Sequence, residues 1–112
     1  MKNEVNEMIN GLAKRYDLHV QLLDEAKKHT DFFVVAPVDE NGEAIISMFV
    51  ETKQGGGYRV TSNDEPYHYI LPHAMDVAKE MRKATGRKFT WVKLTEWHER
   101  VIELLEPYKM MH

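Results

Sequence analysis

The chain has no cysteine among its 112 residues. That excludes disulfides, thiolate metal sites and cysteine nucleophiles, and it fits a reducing compartment. It also has no apolar run near the roughly 20 residues that span a bilayer. The opening segment Met1-Lys2-Asn3-Glu4-Val5-Asn6-Glu7 has no apolar core of a secretory leader. A cytoplasmic location without membrane contact is therefore expected. Serine is scarce: Ser47 and Ser62 are the only two, and neither lies in a G-x-S-x-G turn. Nor is there an excess of positive charge. A net charge of −3 argues against a surface built wholly for nucleic acid.

Six glycines are present, three of them consecutive at Gly55-Gly56-Gly57. A phosphate cradle needs such glycines to lead into a helix N-terminus, where free N–H groups meet the anion. Here they lead into Tyr58-Arg59-Val60-Thr61, which is β-type sequence. The triplet reads as a hairpin tip. No kinase, dinucleotide-fold or EF-hand pattern appears elsewhere, and no cofactor is expected.

What remains is an ordinary globular balance, 29% charged and 43% hydrophobic. The length fits a single domain over residues 1–112, large enough to bury a core without staples. No internal repeat or linker divides it.

Val5, Met8, Ile9, Leu12, Ala13 and Tyr16 fall at helical spacing and predict a first helix over about 3–16. Leu18, Val20 and Leu22 alternate with His19, Gln21 and Leu23, as in a strand, whereas Leu22 to Lys27 also have good helix propensity. Phe32–Ala36 and Ala44–Val50 are rich in aromatic and β-branched residues and flank the turn sequence Asp39-Glu40-Asn41-Gly42. They predict two adjacent antiparallel strands with Val34, Ala36, Ile45, Ile46, Phe49 and Val50 buried. Consecutive apolar positions suggest that both faces are covered. Tyr58–Thr61 reads as a shorter strand.

Pro72 suits the first turn of a second helix, whose inner face is Ala74, Val77, Ala78 and Met81 and whose stop is Gly86. Phe89–Leu94 follows as a strand. Thr95 would cap a last helix with Trp97, Val101, Leu104 and Leu105 inward, ended by Pro107. The fold class is α+β, order α-β-β-β-β-α-β-α, with an antiparallel four- to five-stranded meander and helices at both ends of the chain. The simplest packing puts the helices on one face.

Four constellations are candidates for function. The first is basic: Lys79, Arg82, Lys83, Arg87, Lys88 and Lys93 stand against the single acid Glu80, a local net of +5. Phe89 and Trp91 alternate on the following strand, an arrangement that can stack and hold single-stranded nucleic acid. The plainer reading makes the aromatics core and the bases a solvated helix end. The second is acidic: Glu96, Glu99, Glu103 and Glu106 form a stripe on the last helix that can meet a basic partner. Paired with the basic stripe, it predicts a two-fold homodimer. The third is a Tyr-rich binding surface of Tyr58, Arg59, Tyr67 and Tyr69. The fourth draws on the six histidines. His68, His73 and Asp76 are the one set worth testing as a metal site, two imidazoles and a carboxylate with an open position.

With no catalytic motif and with segregated charge, the expected function is that of a non-enzymatic accessory protein that binds a protein partner. A nucleic-acid module on residues 79–93 and a small metal-dependent enzyme at His68, His73 and Asp76 are the alternatives.

Overall fold

The structure, a computed structural model, describes residues 2–109. The elements are α1 (Lys2–Ala26), β1 (Phe32–Pro37), β2 (Phe49–Thr52), β3 (Tyr58–Thr61), β4 (Tyr69–Ile70), α2 (Leu71–Thr85), β5 (Phe89–Lys93) and α3 (Leu94–Leu105). A 3₁₀ turn, Glu106–Tyr108, follows α3. The class is α+β and the order α-β-β-β-β-α-β-α is the expected one. Among the described residues no helix is long and apolar enough to cross a membrane.

The five strands do not form one meander. They divide into a three-stranded sheet, order β4-β1-β5, and a two-stranded sheet of β2 and β3, both antiparallel. β1 is the central strand, and its side chains alternate between two cores. Val34 and Ala36 join Phe49, Val92, Leu94, Trp97, Val101, Leu105 and Ala26 on the side of α1 and α3. Val35 joins Val50, Tyr69, Ala74, Val77, Ala78 and Met81 on the side of α2. This explains the unbroken apolar run of β1: each face lies under helix. It also corrects the expected packing, because helices cover both faces.

The hairpin expectation holds at the turn and fails in the ladder. The Asp39 carboxylate accepts from the backbone N–H groups of Asn41 at 2.8 Å and Glu43 at 3.0 Å, and Gly42 takes φ 82°. Val38 and Ala44 form a single bridge. The chain then turns at Ile46-Ser47, leaves both isoleucines half-buried, and resumes as β2 against β3. β1 instead pairs with β5 from Phe33↔Lys93 to Pro37↔Phe89. The glycine triplet is the tip of the β2–β3 hairpin, with φ of 92°, 111° and 81° at Gly55, Gly56 and Gly57.

The strand expected over Leu18–Leu23 is helix, part of the unbroken α1. Ala13, His19 and Ala26 are buried and Tyr16, Leu22 and Leu23 half-buried, a spacing of three and four that only a helix gives. The place of that strand in the order is taken by two-residue β4, too short for a sequence pattern to mark. α1 runs antiparallel to α3: Ala26 and Leu94 share one end of the core, and Tyr16 and Tyr108 pack against it at the other. Val5 and Met8, expected in the apolar stripe, are exposed.

α2 starts with Pro72 in its first turn and ends at Gly86 in the left-handed region, φ 74°. α3 begins one residue before Thr95; Lys93 occupies the cap position and no side chain caps it. Trp97, Val101 and Leu105 face inward as expected, whereas Leu104 is exposed.

Candidate functional site

The residues of the basic segment come together on the α2–β5 face. Lys79, Arg82, Lys83, Arg87, Lys88 and Lys93 are all exposed. Among the described residues, the ion pairs are Arg15–Asp64, Lys28–Glu25, Arg59–Glu51, Arg100–Glu43 and Lys109–Glu106, and none of these involves the six bases. On α2, His73 leans toward β3 and β4, its ring 4.8 Å from that of Tyr69. At 100° per residue, Met75, Lys79 and Arg82 occupy the opposite flank, toward β5. β5 is an edge strand, laddered only to β1. Trp91 stands on it opposite Val35, so its indole lies on the α2 side, 37% exposed beside Lys93. Met75 is 47% exposed. Phe89 is half-buried under α2. The result is a shallow face with apolar footing, free main-chain groups along the outer edge of β5 and an excess of positive charge outside any ion pair among the described residues.

The other expected sites fare differently. Glu96, Glu99 and Glu103 are exposed on α3 as a stripe. They lie across the sheet from the α2 bases, since α3 and α2 cover opposite faces. A basic α2 and an acidic α3 on opposite faces cannot meet twice about one two-fold axis; such contacts run head to tail. The homodimer expected through the two stripes loses its geometric basis. In the tyrosine set, Tyr69 is core and holds the β2–β3 hairpin to the sheet: its O–H donates to the Val50 carbonyl at 3.3 Å and accepts from Thr52 Oγ1 at 3.2 Å. Burial pushes its pKa up to about 12. Arg59 is engaged by Glu51, Tyr58 contacts His73, and Tyr67 stacks near Tyr69 with ring centres 5.1 Å apart.

The metal expectation is not met. His68 packs on Phe32, on the α1–α3 side, with ring centres 4.4 Å apart, whereas His73 packs on Tyr69, on the α2 side. Among the described residues no three His, Cys, Asp or Glu side chains are gathered as a metal-binding group.

Sequence reasoning missed a different histidine pair. His19 of α1 and His98 of α3 are each 2% exposed, and their Nδ1 atoms are 2.9 Å apart. One ring therefore donates its Nδ1–H and the other accepts. Burial lowers the pKa of both, His98 to about 4, with further lowering from His19 and His68; for His19 the Arg15 charge adds to the lowering and Asp64 opposes it. Two clefts flank the pair. His98 opens on an apolar cleft of about 130 Å³ walled by Leu22, Ala26, Phe32 and Leu94. His19 opens on a polar cleft of about 350 Å³. The missed signal was helical spacing: His98 falls in register with Leu94, Val101 and Leu105, and His19 with Tyr16, Leu23 and Ala26 once α1 is continuous.

The fold and its exposed face thus define a small α+β domain with a basic, tryptophan-bearing sheet edge. No protein-family model, curated protein or solved structure matches the chain.

Proposed function

We propose that this protein is a non-enzymatic interaction domain that holds an acidic segment of a protein partner along β5 and the adjoining flank of α2. The observation that carries this is Trp91, 37% exposed on an edge strand among bases that form no ion pair among the described residues. An extended segment added to β5 gains main-chain hydrogen bonds from an edge that already has the strand geometry. Trp91 and Met75 supply the apolar anchor, of the residue types enriched at interfaces. Lys79, Arg82 and Lys93 meet carboxylates and steer the encounter. The cytoplasm, which a cysteine-free chain suits, is the compartment of this reading.

The same bases suit a nucleic-acid backbone. Single-strand binding, however, uses several aromatic faces in series, and of the two aromatics on β5 only Trp91 is exposed. That favours the peptide.

The test is selection of extended peptides from a displayed random library against the wild type and a Lys79→Glu, Arg82→Glu, Lys93→Glu variant. Peptides rich in Asp and Glu are expected with the wild type alone. Trp91 fluorescence should respond on binding, whereas Trp97, 2% exposed, reports little. Absence of acidic enrichment overturns the reading. So does tight binding of a thymidine oligonucleotide with a log–log salt slope of about −0.7 per phosphate contact, which would transfer the face to nucleic acid.

A further inference from the structure

The polar cleft beside His19 brings together side chains that the chain uses sparingly. Its two serines, 15 residues apart in sequence, both line it. Ser47 comes from the turn before β2, and Ser62 and Asn63 from the segment after β3. Arg15 and His19 come from successive turns of α1, and Trp97 forms the wall from α3. No single element builds this cleft; α1, α3 and two loops converge on it. Hydrogen-bond donors dominate: a guanidinium, two hydroxyls, an amide and an imidazole, against the one carboxylate of Asp64, which is paired to Arg15 at 2.9 Å.

The His19 ring is the unusual member. It is 2% exposed, its Nδ1 is committed to His98, and it lines the cleft. Among the described residues no fully buried side-chain nitrogen or oxygen lacks a hydrogen-bond partner. Nε2, which the pair does not use, is therefore the ring nitrogen left for the cleft. When His98 donates its Nδ1–H to His19, His19 carries its own proton on Nε2 and becomes a donor into the cleft. The tautomer is free to follow what binds there, since the two rings exchange roles without a net gain of protons.

We propose that this cleft is a binding site for a small carboxylate with an apolar body. The oxyanion is held by the Ser47 and Ser62 hydroxyls, the Asn63 amide and His19 Nε2–H, with Arg15 at the rim, and the body lies against the half-buried Ile46, backed by Trp97 and Val101. A volume of about 350 Å³ falls within the size of small-molecule sites, which pair apolar walls with a few polar groups that fix orientation. Charged hydrogen bonds to an oxyanion are the strong kind. Inorganic phosphate shares the oxyanion chemistry but offers nothing to the apolar wall. The charged and titratable groups around the His19 ring are Arg15 on α1, Asp64 on the loop, and His98 on α3 with His68 beyond it. The site is separate from the α2–β5 face, which lies across the sheet.

The experiment is titration of the full chain with benzoate and, separately, with inorganic phosphate, up to about 10 mM. The readouts are the ring nitrogen shifts of His19 and His98 and the indole N–H of Trp97. Benzoate is expected to fix His19 as the Nε2–H tautomer and to bind at least about tenfold tighter than phosphate, a difference of about 1.4 kcal/mol. A Ser47→Ala, Ser62→Ala variant, changed only at exposed positions, is expected to lose about tenfold in benzoate affinity while keeping the His19–His98 bond. The Lys79→Glu, Arg82→Glu, Lys93→Glu variant is expected to bind benzoate like the wild type, which separates this site from anion condensation on the basic face. Phosphate binding as tightly as benzoate overturns the apolar half of the assignment. No histidine shift from either anion, or unchanged benzoate affinity in the double-serine variant, overturns the site.

Discussion

Nδ1 of His19 and Nδ1 of His98 stand 2.9 Å apart in the α1–α3 core, so a single Nδ1 proton lies between two buried imidazoles. Both rings resist a further proton, because burial disfavours the charged form. In the folded chain His98 titrates at about 4, below the ordinary 6.5 it regains on unfolding. Between those values the unfolded chain binds more protons than the folded one, so stability falls as pH drops through this window. The loss should be on the order of 1–3 kcal/mol between about pH 7 and pH 4. Urea titrations along that range measure it. A His19→Leu, His98→Leu variant should lose most of the slope, and a wild-type midpoint that does not move with pH would reject the account.

Tyr69 gives the opposite sign at the alkaline end. Its folded pKa, about 12, exceeds the ordinary 10, chiefly because of burial. The folded chain then holds a proton that the unfolded chain releases, and stability falls as pH rises from about 10 toward 12. Tyr69→Phe should remove that fall and cost about 1 kcal/mol at neutral pH, through loss of the bonds to Val50 and Thr52. Because those bonds tie the β2–β3 hairpin to β4, amide exchange should speed up first in Glu51 to Val60. Uniform exchange across the chain would show that Tyr69 does not anchor the hairpin.

The elements that the sequence marks clearly are those whose local signals agree with their surroundings. α2 is one: Pro72, the Ala74/Val77/Ala78/Met81 face and Gly86 all point to the same helix. α1 shows why others escape. Residues 18–23 satisfy a two-residue period and a helical period together, and the buried partner that decides between them, His98, lies 79 residues away. The two-residue β4 has no period at all and exists because Phe32 and Phe33 offer it an edge. Of the candidate site, the bases and Trp91 were legible as a cluster along the chain. That β5 is an edge strand, and that His19 and His98 meet, are facts of topology that no local window contains.

Phe49 and Ile46 lie in one apolar run but differ in what surrounds them. Phe49 is buried, with its ring edge-on to Trp97 at 6.3 Å between centres. Ile46 sits half-buried in the turn before β2. Phe49→Ala should cost about 3–5 kcal/mol and Ile46→Ala about 1 kcal/mol. Guanidinium titrations of the two variants check the ranking; equal costs would mean that the run is one continuous buried strand.

The basic face makes a prediction about stability as well as binding. If Lys79, Arg82 and Lys93 are kept for a partner, the fold should not need them. They are exposed, and among the described residues none pairs with an acid. Two opposing terms act on the Lys79→Glu, Arg82→Glu, Lys93→Glu variant. Arg82 lies in the last turn of α2, where a cation gains about 0.3–1 kcal/mol from the helix dipole. Against this, Lys79 and Lys83 are like charges four residues apart, which costs about 0.2–0.5 kcal/mol. The reversal relieves that repulsion and the wider field of the six bases. The terms nearly cancel, so the variant should unfold within about 1 kcal/mol of the wild type at low salt. Salt screens the mutual repulsion of exposed bases, so raising it should stabilise the wild type more than the variant. A larger loss on reversal, persisting at high salt, would show these bases to be structural and would remove the ground for assigning the face to a partner.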